Sequence, residues 1–332
     1  MSHAFTSGMF VRTPAWHRLG NVIEDWPGSW GEARKHAGLD WEPIPLPVYS
    51  RTAQALGDFA SPSYTPIPGW QQIARSDDIS QVLTIQQESY AVIDNTQLGQ
   101  VIETVMNLDD GSQLKYETLI VLHGGRNVVC TVYLDSPLSI HGDPSETYRY
   151  IVFFTRHDGR GGLGVIFTDI RVVCANTLGM AERKGERDGT SYTIRHTANW
   201  EQRVSEMKQV VSFARDDAKA WEELANELTL KKIRKPTVDK YLTKFLPTSS
   251  VMTDRQVKNV GVARDAIREI LASPTCEHIS DTAYGLVMAS TEWADHVRRT
   301  RSTDSAAARA LLKSEPYKVK AVKIAKELIG VK

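Results

Sequence analysis

The chain has 332 residues, and its 40 Lys and Arg balance 40 Asp and Glu, so the formal net charge is zero. Hydrophobic residues make up 41% and charged residues 24%, the proportions of an ordinary folded protein, which excludes a disordered, collagen-like or acidic solvating chain. At roughly 100–200 residues per domain, the length predicts about two domains or one large one. No apolar run approaches the ~18 residues of a membrane span. The opening Met-Ser-His-Ala-Phe-Thr has neither the charged nor the apolar region of a secretion signal. Cys130, Cys174 and Cys276 are odd in number and widely spaced, which fits reduced thiols and not a disulfide framework. The expectation is a cytoplasmic protein that does not contact a membrane.

Residues 1–70 read as an irregular segment packed on the core, because they hold five of the eight Trp and many prolines. Within it, Ser29 predicts the cap of a short helix over Trp30–Ala37, ended by Gly38. Pro43, Pro45 and Pro47 predict an extended path, and Pro62, Pro66, Pro68 and Gly69 a turn-rich stretch. Asp94, Thr96 and Gln97 precede an amphipathic helix pattern over Leu98–Leu108, closed by Asp109-Asp110-Gly111.

Four runs rich in Val, Ile, Tyr, Phe and Thr follow: Leu114–Leu122, Asn127–Leu134, Thr147–Thr155 and Gly164–Val173. Their connections are too short for parallel crossovers, so the four form an antiparallel meander. Gly124-Gly125-Arg126 predicts a tight hairpin between the first two. A further helix is expected near Cys174 or Asn176. From residue 199 onward the pattern is helical. Val204, Val211, Ala218 and Ala225, with Met207, Ala214, Trp221 and Leu228, form an a/d stripe over four heptads. A helix over residues 200–230 would be about 45 Å long. Later helices are expected over Ala283–Arg299, Ser305–Lys313 and Pro316–Ile329. The fold class predicted is α+β: an antiparallel β-meander sheet flanked by helices, followed by a helical C-terminal region with one long helix. The organisation predicted is an N-terminal segment over 1–70, a sheet core over 71–198 and a helical region over 199–332.

Charge is uneven although its sum is zero. From Glu292 to Lys332 ten basic residues stand against five acidic ones, and Lys231–Lys235 is a second basic knot. Arg149, Arg156, Arg160 and Arg171 lie on or between the last two predicted strands. The Gly-rich segment His157–Gly164 sits between two strands, and no Gly-Lys-Ser/Thr follows it. That context fails the P-loop and dinucleotide readings and leaves either a hairpin loop or a loop presenting Arg156 and Arg160 to phosphates. His157-Asp158 has no second His/Asp cluster to complete a metal site, and the cysteines have no CxxC partner. Cys174 follows an apolar run, which favours a buried thiol over a nucleophile. Arg171 is a charge inside a Val-rich run and needs solvent, a partner or a carboxylate.

Five segments in this order, Pro14–Gly20, Ala37–Glu42, Gly124-Gly125-Arg126, His157-Asp158-Gly159 and Arg171–Leu178, resemble the phage/plasmid-like protein family, a group carrying a domain of unknown function. The likeness runs from about residue 9 to residue 328, and Arg-Val-Val-Cys-x-Asn-Thr-Leu is its most specific block. Where that family usually has Ser after His-Asp-Gly, this chain has Arg160, which adds charge to the loop. The resemblance implies mobile-element biology and no established reaction. The deduced order of helix, antiparallel strands and long helix also resembles, in architecture alone, the core of Rad52-like single-strand annealing proteins.

The expectation is therefore a non-catalytic single-stranded-DNA-binding and annealing protein of a phage or mobile element. It would act as a homo-oligomeric ring or filament without ATP, metal or other cofactor. Arg126, Arg149, Arg156, Arg160 and Arg171 are the candidate backbone contacts, with Lys184 and Arg187 as outliers. The alternatives are a protein-interaction module such as a host-defence inhibitor, and a nuclease-like enzyme using His157, Asp158 and Cys174.

Overall fold

A computed structural model of the chain describes residues 5–12, 19–52, 63–106, 114–134, 138–144, 149–168, 190–298 and 315–330. The architecture is α+β, as the strand and helix periodicities predict. Two compact units divide it: one comprises residues 1–136 and 149–215, the other residues 137–148 and 216–332.

The first unit is built on a seven-stranded sheet. In chain order its strands are β1 (Phe5–Val11), β2 (Asn21–Ile23), β6 (Tyr116–Leu122), β7 (Asn127–Tyr133), β8 (Tyr150–Arg156), β9 (Gly162–Thr168) and β10 (Ser191–Arg195). The spatial order is β10-β9-β8-β7-β6-β1-β2. All pairs are antiparallel except β1 with β2. The predicted meander is thus present as β6 to β9. Its strands read as continuous Val/Ile/Phe runs because they are buried on both faces, as the unbroken burial of Tyr116–Leu122 shows. The end of the fourth predicted run and the helix near Cys174 lie outside the described residues, as do Asp109–Gly111.

Two helices of this unit match their sequence signals. In α1 (Trp30–Ala37) the Ser29 hydroxyl accepts from the Glu32 amide, and Gly38 closes the helix at φ 65°. In α2 (Asn95–Met106) Leu98, Val101, Ile102 and Val105 are buried on one stripe.

The described residues of the 1–70 segment differ from the irregular reading. They supply β1, which inserts beside β6, together with β3 (Pro43–Thr52) and β4 (Ser63–Arg75); with β5 (Val82–Gln87), β3 and β4 form a separate sheet in the order β3-β4-β5. The turn expected around Pro66 and Pro68 is instead part of β4. Proline enters a ladder only where its nitrogen has no strand to bond. Pro43, Pro45 and Pro47 occupy alternate positions of the edge strand β3, paired with Arg75, Ile73 and Gln71. Pro66 and Pro68 lie beyond the stretch Trp70–Ala74, where β4 pairs with β5. Near that point Gly69 takes φ 77° and the β3–β4 register shifts.

The predicted long helix is α3 (Val204–Leu230), 27 residues, or about 40 Å. Six of its eight a/d residues are buried, Val204, Met207, Val211 and Ala214 in the first unit and Ala225 and Leu228 in the second, while Ala218 and Trp221 are half-buried. The second unit continues with α4 (Lys235–Phe245), α5 (Asp254–Leu271), α6 (Ala283–Glu292), a wide π-type turn over Trp293–Val297, and α7 (Glu315–Ile329). Phe245, Trp293 and Tyr317 meet edge-on at its centre, with centroids 5.6–6.1 Å apart. The β7–β8 connection reaches into this unit. Ser139 and His141 amides donate to Glu222 and Asn226, and His278 meets the Asp143 carboxylate at 3.1 Å. Ser305–Lys313 lies outside the described residues. No helix among the described residues is long and apolar enough to cross a membrane.

Candidate nucleic-acid interface

Strand register brings three of the predicted arginines to one end of the large sheet. Arg126 directly precedes Asn127, the residue paired with Arg156, and the His157 amide donates to the Arg126 carbonyl at 2.8 Å. Arg160 stands in the β8–β9 turn, whose shape is set by Gly159 at φ 71° and by Asp158, which accepts from the Arg160 amide. Arg195, which no sequence signal singles out, ends β10 opposite Gly162 and so joins the same end. These residues span four adjacent strands, about 14 Å at the usual strand spacing. Arg126, Arg160 and Arg195 are exposed. Arg126 donates through Nε to the Leu83 carbonyl, which fixes its stem. None of the three takes a carboxylate partner among the described residues. Arg34, Arg75, Arg203 and Arg268, by contrast, are all ion-paired. Arg156 is half-buried and lies over the Phe154 ring.

Arg149 does not belong to this group. It precedes Tyr150 at the opposite end of β8 and lies 5.3 Å from the Phe167 ring centre. Arg171, Lys184 and Arg187 lie outside the described residues.

Beneath the arginines is a buried polar knot. Trp41 is 2% exposed and His157 1%. Asn95 ties them together: its Nδ2 donates to the Trp41 carbonyl, and its Oδ1 meets His157 Nε2 at 3.2 Å. Because that Oδ1 can only accept, His157 carries its proton on Nε2. Burial and the neighbouring His196 push the imidazole down to about 3, so it is neutral. His196 is also lowered, by burial against the opposing carbonyls of Ala91 and Arg156 and the Asp158 charge. It donates from Nδ1 to the Ala91 carbonyl and stacks on Tyr90 at 4.7 Å. Glu42 closes the knot on its far side. Its carboxylate accepts from the Asn95 amide at the start of α2 and pairs with Arg34 at 2.7 Å. Gly125 approaches Trp41 so closely that a Cβ would lie 2.7 Å from the ring, and its φ of 105° excludes most other residues.

This geometry gives His157-Asp158 a structural part. His157 anchors the turn from inside and Asp158 shapes it, so neither is an open acid–base pair. Cys174 lies outside the described residues. Cys130 and Cys276 are free and buried, and burial raises both thiols. Among the described residues no group of three or more His, Cys, Asp or Glu is arranged to hold a metal ion.

A family model described as "Domain of unknown function (DUF932)" matches residues 82–314 of the 332. The chain belongs to this family. The DUF932 segment takes in β5 to β10, hence all four arginines of the sheet end, and leaves β1 to β4 outside. No curated protein and no solved structure matches the chain.

Proposed function

We propose that this chain binds single-stranded DNA and promotes annealing of complementary strands, as a homo-oligomer serving a phage or other mobile element in the bacterial cytoplasm. No ATP, metal or catalytic step enters this reading. The observation that carries it is the row of exposed arginines at one sheet end, Arg126, Arg160 and Arg195, without carboxylate partners among the described residues. An unpaired guanidinium keeps its donors available for phosphate oxygens. Several along one edge suit a flexible polyanion whose backbone is tracked without base readout. Local cations also reconcile DNA binding with a net charge of zero. The order α2, four-stranded meander, β10 and α3 offers annealing proteins as an analogy of fold and no more.

The test is fluorescence anisotropy with a labelled oligonucleotide at about 50 mM salt and micromolar protein. Binding should weaken with salt. When Arg126, Arg160 or Arg195 becomes Ala, the salt slope should shrink by about 0.7 for each phosphate left unneutralised. Complementary strands bearing a fluorophore and a quencher should then pair faster with protein, without added nucleotide. Absence of binding under these conditions overturns the reading.

A further inference from the structure

The outer part of the small sheet is two-stranded among the described residues. Trp70–Ala74 of β4 lies between β3 and β5, but among the described residues Tyr49–Thr52 pairs with Ser63–Pro66 alone. Every residue from Ser63 to Trp70 is exposed, as are Tyr49, Ser50 and Arg51. A two-stranded ribbon solvated on both faces is marginal by itself in water, and polar side chains would suit it best. It carries Tyr49 at 51% and Tyr64 at 63% exposure instead.

Register places these side chains together. Arg51 stands directly opposite Tyr64, and Tyr49 is opposite Pro66. Residues two apart share a face, so one face carries Tyr49, Arg51 and Tyr64 side by side. The charge on the strands themselves is one-sided. Strands β3, β4 and β5 contain no Asp or Glu; their only charged residues are Arg51 and Arg75. Arg75 is engaged by Asp77 at 2.6 Å, whereas Arg51 takes no carboxylate among the described residues. The outer edge of β3 lacks donors at Pro43, Pro45 and Pro47, so strand addition by another chain is disfavoured there.

We infer that the β3–β4 ribbon is the base-stacking surface for single-stranded nucleic acid, with Tyr49 and Tyr64 packing on bases and Arg51 on a phosphate between them. Exposed aromatic rings interleaved with a cation, on strands whose own sequences hold no carboxylate, match that ligand in both of its chemistries. The inference rests on the DNA-binding reading and adds a surface outside the DUF932 segment.

The experiment titrates two fluorescein-labelled probes, a thirty-residue oligothymidylate and an abasic oligomer of equal length, at about 50 mM salt. The unmodified chain should prefer the thymidylate. The variant Tyr49→Ala/Tyr64→Ala should lose about tenfold or more in affinity for it and none for the abasic probe, with an unchanged circular dichroism spectrum because both residues are exposed. Arg51→Ala should weaken both probes. If the double variant keeps its affinity for thymidylate, or loses it equally for both probes, stacking on the ribbon is overturned, while the arginine row is judged by its own substitutions. A change of oligomeric state in the double variant without DNA makes the ribbon an interface between copies and also overturns it. If the unmodified chain binds neither probe, both readings fall.

Discussion

A buried imidazole at His157 resists protonation down to about pH 3 in the folded chain, whereas the unfolded chain takes up that proton near pH 6.5. The contribution is therefore fully present above pH 6.5 and is lost as pH falls below it, because the unfolded state then binds more protons. His196, lowered by burial as well, acts in the same direction. Apparent stability from urea unfolding should fall by roughly 1 kcal/mol per pH unit for His157 between about pH 6.5 and 5, above most of the carboxylate range. His157→Leu should flatten that slope, and an unchanged slope would refute the assignment. The arginines at 126, 156 and 160 were legible in the sequence because hairpin turns are short, so residues near them in sequence meet in space. The burial of His157 was not, since its partner Asn95 lies 62 positions away.

At the level of elements, two glycines in helices should respond to the same substitution with opposite sign. Alanine normally gains about 1 kcal/mol over glycine inside a helix. Gly261 in α5 has nothing within 4 Å of where a methyl would stand, so Gly261→Ala should raise the melting temperature. Gly99 in α2 faces the indole of Trp30, which is held in place by its bond to the Asn95 carbonyl at 2.9 Å. Gly99→Ala forces the two apart and should cost about 1–3 kcal/mol. Thr253 heads α5 with a full capping box to Gln256, and Thr253→Ala should cost about 1 kcal/mol. Thermal denaturation reads all three. Helix caps and the meander were readable because their signals are local: Ser29 with Gly38, or an apolar run between turns. β3 and β4 were hidden behind prolines, which usually break strands and are tolerated here by position. β1 was hidden because it pairs with β6, more than a hundred residues on, for instance Gly8 with Ile120.

For the whole molecule, the two-unit division cuts across chain order. The β7–β8 connection leaves the sheet and packs in the helical unit, where Ile140 joins the buried cluster with Leu228 and Tyr284. Replacing residues 138–144 with a Gly-Ser linker should therefore loosen the helical unit. Amide exchange should accelerate around Glu222–Asn226 and Glu277–Tyr284, while β7 and β8 stay protected; faster exchange in those strands would contradict the division. Charge balance over the whole chain is equally uninformative about where cations act, because ion pairing engages arginines such as Arg34, Arg75 and Arg268 and, among the described residues, none of Arg126, Arg160 and Arg195. The two buried thiols have a practical consequence. Cys130 lies in the first unit and Cys276 in the second, each at most 2% exposed. In a Cys174→Ser background, the rate at which a thiol reagent reaches each sulfur becomes a separate clock for the opening of its own unit. One protein sample then times both halves of the molecule without added labels.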